Sequence, residues 1–184
     1  MAGNVIGDVL RGKHRILLLG SCGSGKTYLA KRLAAETGLP LVHLDDVYWG
    51  PRWARSAPEV FRENVRALAR GERWIIDGNY ASTIPERLER AELVVWLDFS
   101  TLRCLCSVLW RDVRRAMGER ESLPAAVRAA AERPPTTSGR RAFYKHVLGF
   151  RRNVRPIIER ELRGARVPVV RLTSRREVSR LVHR

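Results

Sequence analysis

Residues 17–29, LLLGSCGSGKTYL, place Gly20, Gly25, Lys26 and Thr27 at the fixed positions of the pattern G-x-x-x-x-G-K-[ST]. Each part of that pattern has a physical task. Gly20, Gly23 and Gly25 permit backbone angles closed to other residues, so the N–H groups from Ser21 through Ser24, Cys22 among them, turn inward around an anion. A helix opening near Gly25 aims its positive end at the same point. Lys26 then reaches the β- and γ-phosphates, and the Thr27 hydroxyl ligates Mg²⁺. The alternative is a glycine-rich connector, and the flanks argue against it. RILLL (15–19) reads as a buried strand and KTYLAKRLAAETG as a helix closed by Gly38. The expectation is a nucleoside triphosphate, ATP with Mg²⁺, held by residues 20–27.

The elements that must position this loop follow from the rest of the chain. At 184 residues it is expected to be one domain, 1–184, large enough to bury a substantial core. The start MAGNVIGDVLRGKH lacks the apolar run of a signal peptide, and no segment approaches membrane-spanning length. Cys22, Cys104 and Cys106 are a sparse, odd set; the last two lie two apart on a helix and face different ways, a poor metal pair. They read as reduced thiols of a cytoplasmic protein. The net charge of +16 comes mostly from arginine. It suits polyanionic small substrates, which arginine clamps bidentately, and equally a nucleic acid.

Strands and helices alternate. After the first pair come strand PLVHLD (40–45), helix APEVFRENVRALARG (57–71) with Val60, Phe61, Val65 and Leu68 inward, and strand RWII (73–76) stopped by Asp77-Gly78. A short helix IPERLERA leads to the clearest strand, LVVWLDF (93–99). STLRCLCSVLWRDVRRAM begins at a Ser/Thr cap and carries a helical apolar stripe at 102, 105, 109, 113 and 117. Residues 118–141 lose the pattern and read as a mobile excursion. Helical spacing returns at 142–164, where Pro156 should kink or divide the helix; RVPVVRL is a fifth strand and SRREVSRLVH a closing helix. Apolar strands alternating with helices predict a parallel sheet covered on both faces, with ligands at the carboxyl ends of its strands. Asp45, Asp77 and the glycine-rich loop all fall on that edge.

The glycine-rich loop, HLDDVYW (43–49), WIIDGNY (74–80) and LVVWLD together resemble the topology modulation proteins, which are adenylate-kinase-like P-loop proteins. The resemblance covers nearly the whole chain, least at 1–13 and 118–141. It implies an α/β fold of nucleoside-monophosphate-kinase type: a five-stranded parallel sheet ordered 2-3-1-4-5, flanked by helices, with a lid at 118–141 and an acceptor-binding segment at 46–70. Asp77 matches the aspartate of the adenylate kinase DG motif, which holds Mg²⁺ through water. Independently, a carboxylate near Thr27 offers the oxygen that Mg²⁺ prefers. The departure comes next. Adenylate kinases continue with Phe-Pro-Arg, whose arginine grips the acceptor phosphate, whereas here Asn79-Tyr80-Ala81 follows and the next arginine is Arg87.

Acids after strand two resemble instead the small-molecule kinases for shikimate and gluconate, where a carboxylate binds the acceptor hydroxyl or takes its proton. Asp45 is expected in that role, with solvated strand-end acids as the plain alternative. Trp49 and Trp53 either stack on an acceptor ring or anchor a loop. Arg52, Arg62 and Arg66 lie in the same segment and either meet an anionic acceptor or are surface charges. Arg111 and Arg115 share a helix face, and in adenylate kinases such a pair lies over the adenine and the transferring phosphate. Beyond the lid, Arg151, Arg152 and Arg155 either close a ring of charge around the phosphates or belong to an ordinary basic helix. The first reading is phosphoryl transfer from Mg·ATP to a small hydroxyl- or phosphate-bearing acceptor, with Lys26, Asp45, Arg111 and Arg115 catalytic and Thr27 and Asp77 at the metal. The second is a nucleic-acid-associated regulatory ATPase, although no helix-turn-helix, RNP or zinc motif appears.

Overall fold

Alternation of side chains along the strands decides how the two faces of the sheet are filled. The computed structural model describes residues 9–119, 123–129 and 137–182. β1 (Arg15–Gly20), β2 (Leu41–His43), β3 (Trp74–Asp77), β4 (Leu93–Leu97) and β5 (Val169–Leu172) form one all-parallel sheet in the order β2-β3-β1-β4-β5. Ile16, Leu18, Ile75, Leu93, Val95 and Leu97 point to one face. There they meet Leu29, Ala30 and Leu33 of α1 (Lys26–Thr37), with Val178 and Leu181 of the closing helix. Leu17, Leu19, Trp74, Ile76, Val94 and Trp96 point to the other. They pack on Leu44 of α2 (Leu44–Tyr48), Phe61, Val65 and Ala69 of α3 (Pro58–Ala69), and Ile84 of α4 (Ile84–Leu88). Burying apolar side chains on both faces is what a parallel sheet requires. Among the described residues no helix is long and apolar enough to cross a membrane.

Beyond β4 come α5 (Thr101–Ala116), the short α6 (Ala125–Ala129), α7 (Thr137–Asn153), α8 (Arg155–Gly164) and α9 (Arg175–Val182). Ser100 caps α5, its hydroxyl accepting from the Arg103 N–H at 3.4 Å. The long helix expected at 142–164 begins earlier and is divided at Val154, with Pro156 in the first turn of α8 where its missing N–H costs nothing. Of the stretch 118–141, residues 120–122 and 130–136 lie outside the described residues.

Three expectations are corrected. β2 stops at His43, so Asp45 sits in the first turn of α2 rather than on a strand. Val60 is 55% exposed, because Phe61, Val65 and Ala69 already fill the inner face of α3. On α5, Leu102, Leu109, Val113 and Met117 face solvent, while Cys104 and Val108 are buried.

One polar cluster stabilises the β4–β5 edge. The Asp98 carboxylate, 6% exposed, accepts from Arg155 Nε at 3.1 Å and Arg171 Nε at 3.0 Å, and both guanidinium groups lie over the Trp96 ring. Burial alone would raise the Asp98 carboxyl, but the two arginines outweigh it and hold it below its ordinary value. A depressed carboxyl contributes stability above its unfolded value, about 3.9, and loses it as pH falls through the folded value. Asp98→Asn is therefore expected to cost about 2 kcal/mol at pH 7. Urea midpoints of the two proteins should converge in acid; a gap unchanged down to about pH 2 would contradict the assignment.

Candidate active site

Gly20 ends β1 and Lys26 begins α1, so the glycine-rich loop joins a buried strand to a helix N-terminus. Two glycines are required by close approach. A Cβ on Gly20, at φ +147, would stand 2.5 Å from the Leu97 carbonyl oxygen, and one on Gly23, at φ +81, would overlap that of Cys104. The loop is thereby pressed between β4 and α5. No side chain caps α1, whose first-turn N–H groups and dipole are directed at the loop. Within the loop the Ser24 N–H donates to the Ser21 carbonyl at 3.1 Å, and Lys26 Nζ donates to that same carbonyl at 3.0 Å. Ser24 Oγ is buried and makes no hydrogen bond among the described residues.

Asp77 is the hub beside the loop. Pairing of β1 with β3 sets it opposite Leu18, and pairing of β2 with β3 sets His43 opposite it. Its Oδ2 accepts from Thr27 Oγ1 at 2.9 Å and lies 3.1 Å from His43 Nδ1. That bond raises the His43 imidazole above its ordinary value, against the lowering effect of burial. Asp77 Oδ1 is buried and makes no hydrogen bond among the described residues. A hydroxyl and a carboxylate this close, with one carboxylate oxygen uncommitted, make a donor set suited to a hard divalent cation.

The segment after β3 joins this hub to Asp45. Asn79 grips the loop entrance through both amide atoms: Oδ1 accepts the Gly20 N–H at 2.9 Å, and Nδ2 donates to the Gly20 carbonyl at 2.5 Å. Tyr80, at φ +35, donates its hydroxyl to Asp45 Oδ1 at 2.7 Å. Burial, with the Asp45 charge, raises the phenol well above its ordinary value, so it stays a donor. Arg87 holds these residues from below. It is fully buried, donating to the carbonyls of Thr83 at 3.0 Å, Gly78 at 2.6 Å, Tyr80 at 3.2 Å, and also Asn79. Burial pushes its guanidinium down to about 9, which leaves it charged near neutral pH.

Burial raises the Cys22 thiol above its ordinary value; the charges of Lys26 and Arg111 act to lower it and those of Asp45 and Asp77 to raise it. Arg111 also stacks over the Phe143 ring of α7 at 5.5 Å. Arg115 Nη1 lies 3.8 Å from Asp112 of the same helix, and burial, with the like charge of Arg111, lowers its guanidinium to about 10. Asp46 points away from Asp45's partners, accepting the Ala125 N–H of α6 at 2.6 Å.

In the segment 46–70, Trp49 packs edge-to-face on both Tyr48 and Trp53, and Arg55 stacks over Trp49. Arg62 and Arg66 both approach Glu86 at 3.5 Å. Arg155 is taken by Asp98 and Glu159, away from any ring of charge across the lid.

Sequence reasoning missed five residues here. Arg87 carried a signal, since it lies three residues after Ile84 on the apolar side of a short helix. His146, lowered by burial and by the charge of Lys26, shares the spacing of Phe143, Val147 and Phe150. Asn79, Tyr80 and His43 had only position in their favour, at the carboxyl ends of strands.

In sequence, residues 6–43 match the family model described as magnesium chelatase, subunit ChlI, well under half of the chain. No curated protein matches the chain. Among solved structures it is similar to a shikimate kinase from Acinetobacter baumannii in complex with shikimate, at 16% identity and a TM-score of 0.55, over 95% of this chain and 94% of that one. It is also similar to the shikimate kinase from Bacteroides thetaiotaomicron, at 19% identity and a TM-score of 0.51, over 93% and 95%. At such identities the likeness establishes the fold, that of the P-loop kinases. It does not reach the narrower resemblance to the topology modulation proteins.

Proposed function

We propose that the chain is a phosphotransferase that moves the γ-phosphoryl group of Mg·ATP to a hydroxyl of a small acceptor held beside Asp45. One arrangement carries this reading: the Thr27 hydroxyl and the Asp77 carboxylate, suited to a metal, meet at 2.9 Å beside the glycine-rich loop, and the consecutive residues Asn79 and Tyr80 tie that loop to Asp45 through the Gly20 N–H at 2.9 Å and Asp45 Oδ1 at 2.7 Å. In this reading the N–H groups of residues 20–25 and the positive end of α1 hold the phosphates. Lys26 and Arg111 offset charge on the transferring group, with Arg115 behind Arg111. Thr27 and Asp77 hold Mg²⁺, which when bound neutralises charge on the phosphate oxygens. Asp45, fixed by Tyr80, accepts the acceptor's hydroxyl proton as the new O–P bond forms and the bond to ADP breaks. Residues 46–70 enclose the acceptor. The lid, 118–141, is tied to that segment where Asp46 accepts the Ala125 N–H.

The inward turn of Arg87 and the pairing of Arg62 and Arg66 with Glu86 favour a hydroxyl over a phosphate as the group that enters. Asp77→Asn should leave the fold intact and raise the Mg²⁺ concentration needed for half-maximal ATP binding by about tenfold or more. Retention of the wild-type metal requirement would move the metal elsewhere. The function itself is tested by ADP production from Mg·ATP with nucleosides, their monophosphates, sugar acids and aminated polyols. One acceptor should raise turnover far above the hydrolysis background.

A second reading rests on the charge of +16 and the resemblance to topology modulation proteins: a nucleotide-dependent contact with nucleic acid. It predicts that DNA or RNA alone stimulates ATP turnover, with an affinity that falls steeply as salt is added.

A further inference from the structure

Helix α5 is amphipathic the wrong way round. Its inner face carries Cys104 and Val108 with Arg111 and Arg115 in line with them, while the opposite face is the apolar one. Leu102 is 71% exposed, Leu109 48%, Trp110 64%, Val113 49% and Met117 81%, and the exposed Cys106 completes the row. These residues recur at intervals of three and four, so they form one stripe about 22 Å long, directed at solvent along its length. The inversion has a cause. The side of α5 against the glycine-rich loop is committed to close approach at Gly23 and to arginine chemistry, which leaves the apolar residues no core to enter.

We propose that this stripe is the contact between two copies of the chain, paired through antiparallel α5 helices about an axis near Leu109 and Trp110. Its six side chains leave roughly 600–700 Å² uncovered, more than the largest patch of a typical monomer and close to the ~800 Å² each partner gives to a standard interface. Leu102, Cys106, Leu109 and Val113 follow the alternating four-and-three spacing of a helix-pair seam. Large residues at both ends make the stripe self-complementary in the antiparallel sense: Leu102 meets Met117 of the second copy, Cys106 meets Val113, and the two Trp110 rings meet at the centre. Arg103 and Arg114 lie on one edge of the seam, where their long stems keep both guanidinium groups in solvent. The contact leaves the inner face of α5 in place, so it does not depend on which reaction the site performs.

The test is molar mass by light scattering across a concentration series of the full chain. The wild type should rise from 21.0 kDa towards twice that mass, while Trp110→Glu and Val113→Glu remain at 21.0 kDa with unchanged thermal unfolding. Oxidation should link copies of Val113→Cys through Cys106, but not copies of the wild type. A wild type that stays at 21.0 kDa overturns the proposal. If Trp110 in that monomer is shielded from acrylamide, a segment of the same chain covers the stripe; if the monomer binds phosphatidylserine vesicles, a membrane does. A glutamate variant that still dimerises, or a Cys106 disulfide in the wild type, overturns the antiparallel pairing.

Discussion

Lys26→Ala lowers acceptor-dependent ADP production by about 10³-fold or more, with thermal unfolding nearly unchanged. The two halves of that expectation have separate causes. Lys26 is half-buried at the loop mouth, and its one hydrogen bond among those found, to the Ser21 carbonyl, spans the loop without supporting the core. Losing a bond of this kind costs about 1 kcal/mol or less. In the proposed reaction the same ammonium faces charge that develops on the transferring phosphoryl group, at a loop pressed between β4 and α5. Charge stabilisation and positioning supply nearly all the catalysis of phosphoryl transfer, so the loss falls mainly on kcat. Asp45→Asn should separate the other half of the site: Mg·ATP binding stays near wild type while acceptor-dependent turnover collapses. A Lys26→Ala protein with wild-type turnover would remove the glycine-rich loop from the chemistry altogether.

Arg87→Met lowers folding stability by about 3 kcal/mol and weakens nucleotide binding in the molecules that remain folded. Methionine matches the stem of arginine in length and apolarity, so the change isolates the guanidinium. Removing it relieves the cost of burying a charge, which is why burial lowers the group to about 9. Against that relief stand the carbonyls of Gly78 and Asn79, which accept from it, whereas the Tyr80 carbonyl also accepts from the Thr83 N–H and hydroxyl. Unsatisfied buried carbonyls cost about 1–3 kcal/mol each, so the loss outweighs the relief. Binding suffers because Asn79 grips both backbone groups of Gly20 only while residues 78–80 are held. Arg87→Lys should not restore either property, since a single ammonium cannot reach carbonyls spread over a planar fork. Denaturant midpoints and nucleotide titration read the two effects separately. Equal stability of Arg87→Met and wild type would show that the guanidinium does not hold the segment.

Local and global signals differ in how they reach this site. The glycine-rich loop and the parallel sheet were legible because both rest on short-range rules. Gly20, Gly23 and Gly25 are set by backbone angles, and Leu17, Leu18 and Leu19 declare a strand buried on both faces whatever surrounds it. The division at Pro156 was legible for the same reason. Asp45 was located to the right rim but on the wrong element, because the turn from β2 into α2 has no glycine or proline to mark it.

What failed was inference about facing on α5 and at two arginines of α3, although Phe61 and Val65 turn inward as expected. An apolar stripe such as that of α5 normally turns inward, yet Gly23 and the arginines claim the inner side, and only tertiary contact shows that. Arg62 and Arg66 looked available to an anion until the fold brought Glu86 against them from another helix. Asn79 was invisible because its partner, Gly20, lies 59 residues away in the chain.

The most direct measurement is a calorimetric titration of the wild-type protein and Lys26→Ala with ATP, each with and without Mg²⁺. One site per chain is expected in the wild type, strengthened by Mg²⁺ and weakened at least about tenfold by the substitution, near 1.4 kcal/mol of binding free energy. Nucleotide binding that is absent from the wild type, or identical in the two proteins, would contradict that expectation.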